Sequence, residues 1–166
     1  YSININDDII NKNDLLVAED KLNYFKSKNL IPKIYEVNGS IYYIIQYDKQ
    51  HLNNTTKKWR SVIFDNNFNL LCYSPPKSEN LQSFIESNKE FIYQYFIEGT
   101  MINLFYDKNI NKWECATRST IGANVKFYQN SKKTFREMFS ETFIESKINY
   151  DDLNKNFCYS FILQHE

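Results

Sequence analysis

Apolar residues recur along this chain with two different periods. After the acceptor pair Asn13-Asp14, Leu15, Leu16, Leu22 and Phe25 fall at helical spacing, which predicts a helix of about fifteen residues. "KIYEV" and "SIYYIIQY" then switch to strand patterning on either side of Asn38-Gly39. Both residues of that pair tolerate positive φ, so the stretch predicts a hairpin. "WRSVIFD" and "NLLCYS" flank a second turn at Asn66-Asn67, Pro75-Pro76 stops that strand, and "ENLQSFIES" predicts a short helix. Strand patterns dominate from Phe91 to Thr117: "FIYQYF", "TMINLFY" and, after the polar loop "DKNINK", "WECAT". Beyond Ser131, Phe135, Met138, Phe139 and Phe143 make one apolar face of a second long helix, and "NFCYSFIL" is a final strand.

Strands and helices are grouped rather than strictly alternating. The expected fold class is therefore α+β, a mainly antiparallel sheet with flanking helices, in one domain spanning 1–166. A doubly wound parallel fold fits the order less well.

Composition narrows the functional classes. Lys+Arg 20 against Asp+Glu 20 removes any global charge argument for nucleic-acid binding and leaves room only for a local basic groove. The 17% aromatic content, with Gly 3 and Pro 3, favours sheet over a loop-rich scaffold. Cys72, Cys115 and Cys158 lie in separate apolar runs without ligand spacing, and His51 and His165 are isolated. That pattern predicts reduced core thiols, a reducing cytoplasmic compartment and no metal site. No apolar run approaches the ~18 residues that span a bilayer, so no membrane partner is expected. Tyr42, Tyr43, Tyr93, Tyr95 and Tyr106 fit half-buried sheet positions better than base-stacking platforms.

One stretch, "YFIEGTMINLFY" (95–106), carries candidate chemistry. Taken alone, Glu98-Gly99-Thr100 is a bulge or turn between antiparallel strands, the glycine supplying an awkward φ. Its company changes the reading. "WRSVIFDNNFNLLCYSPPKS" precedes it, and "KWECATRSTIG" and "FCYSFILQHE" follow. In this order and spacing, residues 58–166 resemble the ATP-dependent RNA ligases of the phage RNA ligase 1 type. These belong to the covalent nucleotidyltransferase superfamily, and similar proteins occur in large DNA viruses. The family signature is Lys-x-Asp/Glu-Gly-Ser/Thr. The resemblance implies a nucleotidyltransferase (ATP-grasp-like ligase) domain with nucleotide-binding residues Glu98, Gly99, Thr100, Arg60, Lys77 in "SPPKS" and Arg118 in "TRSTIG". It also implies ATP and Mg2+ as cofactors wherever activity is retained, and RNA or a nucleotide as partner. Thr117, Ser119 and Thr120 add hydroxyls of the kind that cradle phosphate. Arg60 and Arg118 are two of only three arginines; the third, Arg136, is expected on the solvated face of the last helix.

The departures from the family are equally specific. Adenylation needs an uncharged lysine amine to attack the α-phosphate of ATP, and the slot two residues before Glu98 is Phe96. Lys89 and Lys108 lie across whole strand patterns from that slot. The position of the family's later strand acid falls on Leu163 and Gln164, and Glu166 lies further along. The family's later motifs do not appear, so the segment is taken as the N-terminal part of a nucleotidyltransferase-like domain. No catalytic residue is therefore assigned. The expectation is a degenerate, ligase-like module that binds nucleotide or RNA, or other protein subunits, in a virus-associated setting. The alternative is an active ligase or capping-type enzyme whose lysine is relocated or substituted.

Overall fold

The computed structural model describes residues 18–82, 85, 94–95 and 97–164. Residues 13–17 of the predicted first helix, Ser83, Phe84, Glu86 and Ser87 of "ENLQSFIES", most of "FIYQYF", and Lys89, Phe96, His165 and Glu166 lie outside the described residues. Of the short predicted helix, Leu81, Gln82 and Ile85 are helical, whereas Gln94 and Tyr95 are not in a strand.

The chain builds two antiparallel sheets. Strands β1 (Leu30–Val37), β2 (Ser40–Tyr47), β3 (Val62–Asp65) and β4 (Leu70–Tyr73) form the first, in sequential order. Strands β5 (Thr100–Asp107), β6 (Lys112–Ala116) and β7 (Tyr159–Leu163) form the second, with β5 in the centre. Every described strand pair is antiparallel. Helix α1 (Ala18–Ser27) covers the outer face of the first sheet, and helix α2 (Phe135–Glu145) covers the outer face of the second. The result is α+β in four layers, helix–sheet–sheet–helix.

Strand alternation produces these layers directly. On β2, Tyr43, Ile45 and Tyr47 join Phe25 and Trp59 under α1, while Tyr42 and Ile44 face the other sheet. On β5, Ile102 and Leu104 pack with Phe135, Phe139 and Phe143 of α2, while Phe105 faces inward against Tyr42. Because β2 is covered on both faces, Tyr42 through Tyr47 are all buried. Those tyrosines are core residues and offer no face to a base. Helix α2 begins as its sequence predicts: Thr134 and Glu137 form a reciprocal capping box.

Turn chemistry fixes the registers. Asn38 and Gly39 both take positive φ (53° and 78°), giving the tight hairpin that pairs Val37 with Ser40. The β3–β4 connection is wider than a two-residue turn at Asn66-Asn67. Asp65 Oδ1 accepts from the amides of Asn67 and Asn69, and the register shifts so that Phe64 faces Leu70. Phe68 occupies the left-handed region there (φ 59°), a position unfavourable for a bulky side chain. Its burial and its stacking on Tyr43, with centroids 4.3 Å apart, offset that cost.

Arg136 departs from the expected solvated face. It is half-buried, ion-paired to the buried carboxylate of Glu114 and bonded to the Gly122 carbonyl at 3.2 Å. Helical spacing alone could not place it, because its partner comes from a strand on another part of the chain.

Between the sheets, one end is polar and satisfied. Tyr42 donates to Asp107 Oδ2 at 2.8 Å, and Asp107 Oδ1 accepts from the Asn109 amide. The Asn109 side chain donates to Asp65 Oδ2, which also accepts from Asn69. Burial first, and the Asp107 carboxylate second, hold the Tyr42 phenol far above its ordinary range; burial also raises Tyr73 and Tyr150. These groups keep their protons longest in the folded state. Stability should therefore be intact below about pH 10 and decline as pH rises beyond it. Urea unfolding at about pH 8 and about pH 11 should show this loss. Tyr42→Phe should cost about 1–3 kcal/mol at the lower pH, since Asp107 loses a donor, and should flatten the alkaline decline.

Candidate functional site between the sheets

The opposite end of the inter-sheet layer is polar and unsatisfied. Following the inward face of each strand past the apolar middle leads to Gln46 beyond Ile44, and to Ser61 beyond Ile63. It leads likewise to Ser74 beyond Cys72, and to Asn103 beyond Phe105. The Ser74 amide donates to the Ser61 carbonyl at 3.1 Å, so these serines sit side by side on the sheet. Asn103 pairs in register with both Ala116 and Ser160. Gln46 reaches across to donate from Nε2 to the Arg118 carbonyl.

Ser61, Ser74 and Asn103 are each 0% exposed. Among the described residues, Ser61 Oγ, Ser74 Oγ, Asn103 Nδ2 and Arg118 Nε are buried without a hydrogen-bond partner. Ser160 Oγ donates to Asn103 Oδ1 at 2.8 Å, which turns the amide so that its NH2 is the free end. The Arg118 guanidinium lies 4.8 Å over the Tyr47 ring and, among the described residues, makes no ion pair. An unmet buried polar group costs about 1–3 kcal/mol. Four at one end, against a fully paired network at the other, mark a place built for donors to meet something else. All four can donate, and one belongs to a cation. The set suits an acceptor-rich, anionic or polyhydroxylated ligand.

The residues singled out from the sequence border this row rather than form it. Arg60 is next to Ser61 and is half-buried, and Lys77 lies three residues after Ser74. The Lys77 amide is held by the Lys57 carbonyl, while its amine reaches Ser78 Oγ at 3.5 Å. Glu98 is exposed. Thr100 opens β5, paired with Leu163, three residues before Asn103. Gly99 is required both by its backbone, whose φ of 159° side-chain-bearing residues rarely adopt, and by crowding. A β-carbon there would lie 2.4 Å from the Leu163 carbonyl oxygen and 2.8 Å from Ile162 Cγ2. Arg118 alone is both predicted and part of the row. The neighbouring hydroxyl loop folds on itself: the Thr117 amide donates to Thr120 and the Ser119 amide to Thr117 Oγ1, so those two amides are already engaged. Phe96, in the lysine slot, lies outside the described residues.

No family model, curated protein or solved structure matches this chain. Among the described residues, no three His, Cys, Asp or Glu side chains gather as a metal ion would need. No described helix is long and apolar enough to cross a membrane.

Sequence reasoning missed Ser61, Ser74 and Asn103 because small polar residues in strands are common. Their signal was positional: each is a polar residue continuing an inward-facing apolar file. Two outcomes test the geometry. Ser61→Ala should raise unfolding stability by about 1 kcal/mol in the ligand-free protein, since an unmet hydroxyl disappears. Gly99→Ala should lower it by about 1–3 kcal/mol, because the clash is with β7 backbone. Urea denaturation of both variants beside the parent chain measures each change.

Proposed function

We propose that this chain is a nucleotidyltransferase-type α+β domain of RNA-ligase kinship that binds a nucleotide or RNA end without adenylating itself. The observation that carries the reading is the row of buried, unpartnered donors at one end of the inter-sheet layer. Phosphate, ribose and base edges are dense in acceptors, and a guanidinium beside neutral donors suits them. The ligase-like segments fall at the same strand ends: Arg60 before β3, "SPPKS" after β4, Thr100 opening β5 and Arg118 after β6.

The non-catalytic half of the reading rests on chemistry the sequence lacks. A phenyl side chain at Phe96 offers neither a nucleophile nor a transferable proton. Leu163, buried in β7, and the neutral Gln164 stand where the family has an acid. Whatever binds is held by neutral donors and one arginine, without the charges that stabilise phosphoryl transfer.

The test is a thermal-shift titration with ATP, GTP and a short single-stranded RNA, each with and without magnesium. A ligand at about 100 times its dissociation constant should add about 2.7 kcal/mol of stability. Asn103→Leu should abolish that shift while leaving the fold intact. No shift with any ligand would overturn the binding reading and favour a protein-interaction role. A covalent AMP–lysine adduct with labelled ATP would overturn the non-catalytic half and favour an active ligase.

A further inference from the structure

The three cysteines are separate in sequence, yet two are neighbours in the fold. Cys72, on β4 of the first sheet, is a fully buried member of the core between the sheets, and Cys158, just before β7 of the second, packs against that core. The Cys158 sulfur accepts from the Tyr73 amide at 3.4 Å and lies 3.7 Å from the Tyr73 carbonyl, one residue from Cys72. Cys115 is held elsewhere, against α2. The fold thus sets one half-exposed thiol beside one buried thiol, on two chain segments that otherwise belong to different sheets.

We propose that Cys72 and Cys158 are a redox-active pair that closes to a disulfide when the protein meets a hydroperoxide and reopens with thiol reductant. Cys158 is the attacking sulfur, because it is the partly exposed member of the pair and receives the Tyr73 amide hydrogen bond. Its thiol is also the more acidic: the Cys72 hydrogen bond lowers it, and the same contact raises Cys72. The Cys158 thiolate attacks one peroxide oxygen, the O–O bond breaks, and the departing hydroxide takes a proton to leave as water. The sulfenic acid of Cys158 is then attacked by the Cys72 sulfur. The S–S bond forms, the S–O bond breaks, and the Cys72 proton leaves with the hydroxyl as a second water. Two thiols are oxidised and one peroxide is reduced. A bond here ties β4 to the approach of β7, one inward-facing position from Ser74, and so fixes the spacing of the two sheets. The inference is independent of what the unpartnered donors bind.

The test uses the full chain, treated with a small excess of hydrogen peroxide at neutral pH. Intact mass should fall by about 2 Da for the two hydrogens lost, and dithiothreitol should restore it. A non-reduced peptide map should join the Cys72 peptide to the Cys158 peptide. Cys115→Ser should leave this result unchanged, since burial pushes that thiol up to about 11. Cys72→Ser should replace the mass loss with a sulfenic acid on Cys158 that dimedone captures. Cys158→Ser should leave Cys72 unmodified. A linkage through Cys115, a bond only between two chains, or oxygen addition without any mass loss in the parent protein would each overturn the proposal.

Discussion

The structure depends on one constraint: two sheets must face each other across an interior they both help to fill. Strands β2 and β5 carry the greatest burden, each presenting one file of side chains to a helix and the other to the opposite sheet. In the middle of that layer the constraint is met by Ile44, Ile63 and Phe105, which need only shape, and by the ring of Tyr42, whose hydroxyl donates to Asp107. At the ends, where the strands open toward their turns, polar residues enter the interior. One end settles this with carboxylates: Asp65 and Asp107 collect the amides of their own turns and are joined through Asn109. The two sheets are locked by the bonds that cross between them, Asn109 to Asp65 and Tyr42 to Asp107, while the turn amides hold each carboxylate in place. The other end has donors without acceptors, so the same architecture is closed on one side and incomplete on the other.

Much of the framework was legible because it follows local rules. Asn38-Gly39 admits essentially one hairpin, and the Phe135, Phe139, Phe143 file admits one helix face. The α+β class and antiparallel pairing follow from the grouping of those elements. What sequence could not supply was non-local. Nothing near Arg136 announces Glu114, nothing near Cys158 announces Cys72, and nothing in "NNFN" announces that Phe68 takes the strained position because Tyr43 waits to stack on it. Each of these depends on a partner brought in by strand order, information that a period of two or 3.6 does not contain.

The candidate site divides along the same line. The sequence pointed to the strand ends that flank this row, because polar and glycine-bearing segments interrupt the apolar files there. It chose the conspicuous residues, Glu98, Arg60 and Lys77, whereas the interior is lined by their inconspicuous neighbours Ser61, Ser74 and Asn103. A charged side chain at a strand end has the length to reach water and does so; a serine one step inward has not. Gly99 was read as supplying an awkward φ, which it does at 159°, and it is a spacer as well, permitting β5 to lie against the Leu163 carbonyl.

The energetic cost of the unfinished end bears on whether it is a relic. Whole domains are stable by about 5–15 kcal/mol, so several unmet donors at about 1–3 kcal/mol each are a heavy burden for a chain that needs only to hold its shape. Alanine at Ser61 or Ser74 and leucine at Asn103 are simple replacements that keep the strands and remove the cost. A fold retained purely as a scaffold has every physical reason to fill this end as it has filled the middle, where Tyr42, Ile44 and Phe105 leave no polar atom unmet. Donors kept inside the fold, beside an arginine that rests on an aromatic ring instead of an acid, are better understood as half of an interaction. Binding is then the property for which the remaining residues are suited.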